Sequence, residues 1–335
     1  MEIDILFCGV CHSDIHQVKN EWKNTIYPCM PGHEIIGRVS KVGSTVTRFK
    51  IGDIAGVGCM IDSCHHCESC KQGLEQYCKE GFLATYNGNM RHPTEKNLTY
   101  GGYSSLIIVR EDFVLQIPSN LDPAAAAPLL CAGITTYSPM KYWKIGKGTK
   151  MGIIGLGGLG HVAIKIAIAL GAEVTIITTS ANKMKDAKLF GATNVILSSD
   201  KEAMKKNTNS LDFILSTIPQ PHDANPYIEL LKRDGVLTVV GCIAPLEKSL
   251  DLSKIIPNRK SLGTSLIGGI AETQEVLDFC SKHNIVATIQ KISIDKINDA
   301  FKKVDAGEVD FRYVIDMSTL AGKKESLISK VLNKL

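Results

Sequence analysis

Residues 151 to 170 read MGIIGLGGLGHVAIKIAIAL, a short apolar run, a glycine-rich turn and a segment with helical apolar spacing. The turn is G-x-G-x-x-G at Gly155, Gly157 and Gly160, with Gly158 and Leu159 between the last two. Glycines at this spacing allow a tight strand-to-helix turn and let a pyrophosphate approach the helix N-terminus, where free N–H groups and the helix dipole favour negative charge. The text that follows keeps alternating: EVTIIT, KMKDAKLFG, FILSTI, YIELLKRDG and VLTVVG read as strand, helix, strand, helix and strand. Alternation of this kind predicts an α/β unit with a doubly wound parallel sheet. At the end of EVTIIT, where a carboxylate would select NAD by contacting the ribose hydroxyls, stand Thr178, Thr179 and Ser180, followed by Lys183. Hydroxyls and a lysine suit a 2′-phosphate instead, so the expected cofactor is NADP(H).

The chain has 335 residues, more than single cores usually hold, so a second domain is expected. Residues 1 to about 118 supply it: IIGRVSKVGSTV, DIAGVGCM, YSSLIIV and FVLQI are short β-like runs punctuated by glycine, which predicts a mostly antiparallel, barrel-like unit. Near the end, TQEVLDFCSKHNI reads as a helix, RYVID as a strand returning to the first unit and KKESLISKVLNKL as an amphipathic surface helix. The net charge of +4 is scattered, with no basic run of the kind nucleic-acid binding needs. No apolar stretch reaches the roughly 18 residues of a membrane span, and MEIDILFCG lacks the positive charge of a secretory signal. The expected compartment is the cytosol, where 11 cysteines point to metal or catalysis before disulfides.

Four of those cysteines form C-x2-C-x2-C-x7-C at Cys64, Cys67, Cys70 and Cys78. A tight loop can turn four thiolates onto one tetrahedral Zn2+, a closed structural site with no position for substrate. A [4Fe–4S] cluster also uses C-x2-C-x2-C, but its array continues with x3-C-P, which is absent here. His65 and His66, inside the array, are expected to face solvent.

A second constellation joins CGVCHSDIH, residues 8 to 16, to PGHEIIGRVSKVG, which fits G-H-E-x-x-G-x5-G at Gly32, His33, Glu34, Gly37 and Gly43. This pattern resembles the signature of zinc-dependent medium-chain alcohol dehydrogenases, and CAGITTYSP and GLGGLG match that family in order. KNEWKNTIYP, GGYSS and CAGITTYSPMKY look most like its cinnamyl alcohol dehydrogenase branch, and the resemblance runs from residue 2 to about 318. It implies a GroES-like barrel domain from 1–130 and 269–335 and a Rossmann domain at 131–268. It also implies a further segment before Met1, so the barrel is expected to lack its first strands and to expose an apolar edge.

Carried over, the catalytic zinc ligands fall on Cys11, His33 and Cys131, a Cys2His set that leaves a fourth position open. Together with the cysteine array this makes two Zn2+ per chain. Glu34 matches a carboxylate close to the metal, Asp14 a residue that orients the ligand imidazole, and Ser13 with His16 a proton relay. His12 falls where the family touches the cofactor pyrophosphate, and Thr135, Thr217, Ile267 and Gly268 where it borders the nicotinamide. Trp22 matches a pocket aromatic, but Leu83 and Ile267 stand where phenylpropenyl specificity would call for further aromatics. The implied activity is hydride transfer between NADP(H) and a broad range of aromatic or aliphatic alcohols and aldehydes, by a homodimer with no nucleic-acid or membrane partner. An NAD-dependent polyol dehydrogenase of the same fold and a non-enzymatic zinc-binding protein remain open at this point.

Overall fold

The protein is described here from a computed structural model, over residues 1–88, 98–241 and 243–320. The KKESLISKVLNKL helix expectation lies outside the described residues. Chain contacts divide the molecule into one unit made of Met1–Cys131 and Gly268–Leu335 and a second made of Ala132–Ile267.

The first unit is built around strand β1 (Glu2–Gly9), which leads into helix α1 (His12–Val18). Next come strands β2 (Ile35–Lys41) and β3 (Ile54–Val57). β1 pairs antiparallel with β2 along one side, with Phe7 opposite Ile36 and Cys8 opposite Ile35. Its other side is shared by Leu106–Ile108 and by Arg312–Asp316, both antiparallel to it. RYVID therefore returns to the first unit, and a parallel strand, Ile289–Ser293, extends the sheet beyond it. Alternation buries one row of side chains: Ile3, Ile5, Cys8, Ile35, Val39 and Ile315, which stands opposite Cys8, lie on the same face of the sheet. Gly37 lies where β1 and β2 leave no room for a side chain, since a Cβ there would stand 2.4 Å from the Asp4 carbonyl oxygen.

The second unit is a six-stranded, all-parallel sheet. Strand β4 (Lys150–Ile154), helix α2 (Gly160–Ala169) and strand β5 (Glu173–Thr178) form its first β-α-β crossover. Across the sheet the order is Asn194–Leu197, β5, β4, Leu211–Ser216, Leu231–Val239 and Ser261–Thr264. Apolar strand residues such as Ile154, Ile177 and Ile214 are buried, as a sheet covered on both faces requires.

One segment departs from its expected form. YIELLKRDG is helical only over Asn225–Glu229, and its remainder opens the strand Leu231–Val239. Leu231 already pairs with Leu211, whereas the next pair joins Phe213 to Val236, so three extra residues bulge out between them. Asp234, at φ 66°, provides the turn, and Lys232 binds Asp212 at 2.7 Å. Backbone pairing and this ion pair override the helical propensity of the residues.

Candidate active site

The metal-ligand candidates of the first unit are assembled by α1 and the loop before β2. Cys11 is the residue just before α1, and Asp14 occupies the first turn, where its carboxylate accepts the Cys11 N–H at 2.9 Å and so caps the helix. The same carboxylate accepts the Gly32 N–H at 3.1 Å and faces His33 Nδ1 at 3.0 Å. Tyr103 Oη donates to it at 2.8 Å. Asp14 is fully buried and is held by these four contacts. With Nδ1 engaged, Nε2 of His33 is left as the ligating nitrogen. Gly32 allows the approach: its φ is 105°, and a Cβ would stand 2.8 Å from the Gly102 nitrogen.

Cys131 follows the short turn Ala127–Leu130 and faces Cys11, with the two sulfurs 4.0 Å apart. Two thiolates sharing a tetrahedral Zn2+ stand about 3.8 Å apart, given Zn–S bonds of about 2.3 Å. Ligand atoms of Cys11, His33, Glu34 and Cys131 lie within 4.8 Å of one another, and all four residues are buried. Glu34 Oε1 is bound by the Arg312 guanidinium, but Oε2 is buried with no hydrogen-bond partner. Burial raises the Glu34 carboxyl to about 7, against the pull of Arg312. Two sulfurs, an imidazole and an orphaned carboxylate oxygen converging on one point fit a zinc ion.

Around this cluster, Ser13 Oγ stands 3.7 Å from the Cys11 sulfur. His16 lies one turn further along α1, its Nδ1 hydrogen-bonded to the Glu21 carboxylate. No direct hydrogen bond joins Ser13 to His16 among the described residues. The His12 and Trp22 rings flank His16, with centroids at 5.4 and 5.5 Å. Burial lowers the pKa of His12. Tyr86 packs on His33 with ring centroids 5.5 Å apart. Glu21, Tyr103 and Arg312 escaped sequence reasoning. Only Arg312 left a trace, as a charge in the apolar strand RYVID that would need a buried partner.

Asp14→Asn keeps the shape but offers an amide to the imidazole N–H. Affinity of this site for zinc should fall about 10- to 100-fold, read by chelator competition with the four-cysteine site as internal control.

The four-cysteine array forms a second cluster, with Cys64, Cys67, Cys70 and Cys78 mutually within ligand reach. Sulfur separations of 3.8 Å between Cys64 and Cys70 and 3.5 Å between Cys67 and Cys70 suit one tetrahedral ion. Backbone N–H groups of Cys64 and Cys67 point at sulfurs at 3.4 Å. The Lys79 and Cys70 N–H groups lower Cys67 to about 6, favouring the thiolate. His65 binds Asp62 at 2.8 Å and His66 binds Glu80 at 2.8 Å, so each histidine is paired with a carboxylate.

In the second unit the glycine turn links β4 to α2 as its pattern requires. Gly155 has φ 90°, and a Cβ on Gly160 would stand 2.1 Å from the Gly155 carbonyl oxygen. A Cβ on Gly157 would meet nothing within 4 Å, so open space lies over the turn, as a pyrophosphate cradle demands. Thr217 Oγ1 braces the turn by donating to the Ile154 carbonyl at 2.8 Å. Thr178 is buried at the end of β5, and its Oγ1 accepts the Ser180 N–H at 3.2 Å. Lys183 opens the next helix, its Nζ 3.7 Å from the Asp186 carboxylate. Thr135 is buried within the helix Ala132–Tyr142. Ile267 has φ 37°, and Gly268 is buried.

Two family models match the chain, the alcohol dehydrogenase GroES-like domain over residues 1–119 and the zinc-binding dehydrogenase over residues 158–282. Aldehyde reductase YahK of Escherichia coli is 50% identical over 321 residues, covering 96% of this chain and 91% of that one. A cinnamyl alcohol dehydrogenase of Sorghum bicolor, SbCAD4, superposes with a TM-score of 0.90 at 41% identity, covering 95% of this chain and 90% of that one. The enzyme CAD of Helicobacter pylori, solved with NADP(H), gives 0.87 at 44% identity, with the same coverages of 95% and 90%. With both halves of the chain matched and a relative this similar over nearly all of it, the protein belongs to the zinc-dependent medium-chain alcohol dehydrogenases.

Proposed function

We propose that the chain is an NADP(H)-dependent aldehyde reductase and alcohol dehydrogenase acting on a broad range of aromatic and aliphatic substrates. The observation that carries this reading is the buried convergence of Cys11, His33 and Cys131 beside Glu34, with Ser13 Oγ at 3.7 Å from the Cys11 sulfur. Zinc held there supplies Lewis acidity toward a carbonyl oxygen, and the nicotinamide supplies the hydride. Ser13 would hand a proton to the reduced oxygen, since a hydroxyl donates and accepts at once. His16, one turn further along α1, would refill it through a bridging water or hydroxyl. Glu21 holds His16 Nδ1, which leaves Nε2 as the nitrogen available for that exchange. Asp14 would keep His33 in the ligating tautomer, and Arg312 restrains Glu34 beside Cys11, His33 and Cys131, which would hold the ion.

The second zinc is assigned to Cys64, Cys67, Cys70 and Cys78 as a structural ion. Gly155, Gly157, Gly158, Leu159 and Gly160 take the pyrophosphate, with His12 near it. Thr178, Thr179, Ser180 and Lys183 take the 2′-phosphate. Thr135, Thr217, Ile267 and Gly268 border the nicotinamide, and Trp22 belongs to the substrate pocket. The NADP(H) bound in the Helicobacter pylori relative supports the cofactor choice, and the aldehyde reductase name of the Escherichia coli relative supports the substrate class. We further propose a cytosolic homodimer: thiolate clusters persist in a reducing compartment, and the outer strand Ser261–Thr264, which among the described residues pairs on one side only, offers its edge to a second copy.

The test is a cofactor-resolved aldehyde assay on purified protein with metal analysis of the same sample. Two zincs per chain and faster oxidation of NADPH than of NADH with benzaldehyde are expected. Thr178→Asp should reverse the cofactor ratio by about 100-fold, because a carboxylate repels the 2′-phosphate and accepts the ribose hydroxyl. Turnover of sorbitol with NAD and none of benzaldehyde with NADPH would overturn the reading in favour of a polyol dehydrogenase.

A further inference from the structure

The four-cysteine knuckle does more than close a loop. Between its third and fourth cysteines lie Gly73 and Glu75, and both press on a distant segment of the same unit. Glu75 Oε2 accepts the N–H of Ile270 at 3.1 Å. Ile270 opens the 13-residue helix Ile270–Lys282, whose own cap residue, Gly269, has no side chain to offer. The carboxylate therefore arrives from the knuckle to satisfy a free helix N–H and face the positive end of the dipole. Gly269 is held as closely: a Cβ there would stand 1.8 Å from the Gly73 carbonyl oxygen and 2.5 Å from Glu75 Oε2. Two residues earlier, Ile267 has φ 37°, a left-handed conformation that a β-branched residue keeps only when its surroundings impose it.

We propose that the knuckle is a clamp for the cofactor segment: Glu75 and the Gly73 carbonyl fix Gly269 and Ile270, and so hold Ile267 and Gly268 in the shape that receives the nicotinamide end of NADP(H). The proposal rests on the reading above that Ile267 and Gly268 border the cofactor. It makes the structural zinc a determinant of cofactor affinity, because the ion sets the loop from which Gly73 and Glu75 project. Glu75 is a positioning residue here and touches neither substrate nor cofactor.

The experiment measures NADPH binding to the zinc-loaded protein without substrate, by nicotinamide fluorescence, for the wild type, Glu75→Ala and Glu75→Gln. Zinc content and kcat at saturating NADPH are read on the same samples. Glu75→Ala should raise the NADPH Kd about tenfold, as expected for losing one charge-assisted hydrogen bond. Glu75→Gln, whose amide oxygen still accepts the Ile270 N–H, should stay within about twofold of the wild type. Zinc content and kcat should not change. An unchanged Kd in Glu75→Ala, or equal weakening in both variants, overturns the clamp. If Glu75→Ala sheds knuckle zinc, the wild type decides: chelating that zinc must speed hydrogen exchange at Ile270 to Thr273 and raise the Kd, and failure of either overturns the proposal. Gly268→Val separates the two layers of the argument. If it weakens NADPH binding while Glu75→Ala does not, only the clamp fails; if it leaves binding intact, the assignment of this segment to the cofactor fails.

Discussion

Cys131→Ser is expected to lower aldehyde reduction by at least about 10^3-fold while one zinc per chain remains. The substitution is nearly isosteric at a buried site, so the turn Ala127–Leu130 and the packing around it should persist. What changes is the donor: a neutral hydroxyl replaces the sulfur that stands 4.0 Å from Cys11, and a soft, anionic ligand is lost from a three-ligand set. Lewis-acid stabilisation of the transition state is worth several kcal/mol, which corresponds to about three or four powers of ten in rate. The ion retained should be that of the four-cysteine site, where sulfur–sulfur contacts are untouched. Near-normal turnover with two zincs still bound would refute the assignment of Cys131.

The largest stability change should come from a residue outside the metal cluster. Arg312→Met leaves the Glu34 carboxylate, fully buried, without the guanidinium that neutralises it. Removing one partner of a buried ion pair costs up to about 3 to 5 kcal/mol where the survivor stays charged, so the loss should grow as pH rises above the Glu34 value of about 7, where protonation no longer relieves it. The midpoint of chemical unfolding should drop accordingly. A companion variant, Glu34→Gln with Arg312→Met, removes the stranded charge and should recover more than half of the loss, the sign of a coupled pair. Equal midpoints for the single and double variants would show that Glu34 is neutral in the folded protein and that the pair carries little of the stability.

Much of this site can be read from the chain itself, for a definite physical reason. Cys64, Cys67, Cys70 and Cys78, or Gly155, Gly157 and Gly160, act through local geometry, so their spacing encodes their arrangement. Cys11, His33 and Cys131 are far apart in sequence and become legible only because His33 sits in a longer pattern and the family resemblance aligns the rest. Arg312 and Glu34 are 278 positions apart and Tyr103 is 89 from Asp14, brought together by sheet pairing that no local signal announces. Glu21 is near His16 in sequence, but its contact depends on how the chain turns after α1, which apolar periodicity does not report. The segment YIELLKRDG shows the same limit for the fold: its helical composition holds until the neighbouring strand at Leu211 claims Leu231.

The four contacts on Asp14 carry a consequence for biosynthesis. Its partners enter the growing polypeptide at Cys11, Gly32 with His33, and last at Tyr103, 89 positions after Asp14 itself. A nascent chain that has not yet emerged as far as Tyr103 already holds Cys11 and His33, yet the His33 imidazole is only partly steered. Capture of the catalytic ion is therefore expected to be a late event in maturation, after the cysteine array at 64–78 has had its own opportunity to take up metal.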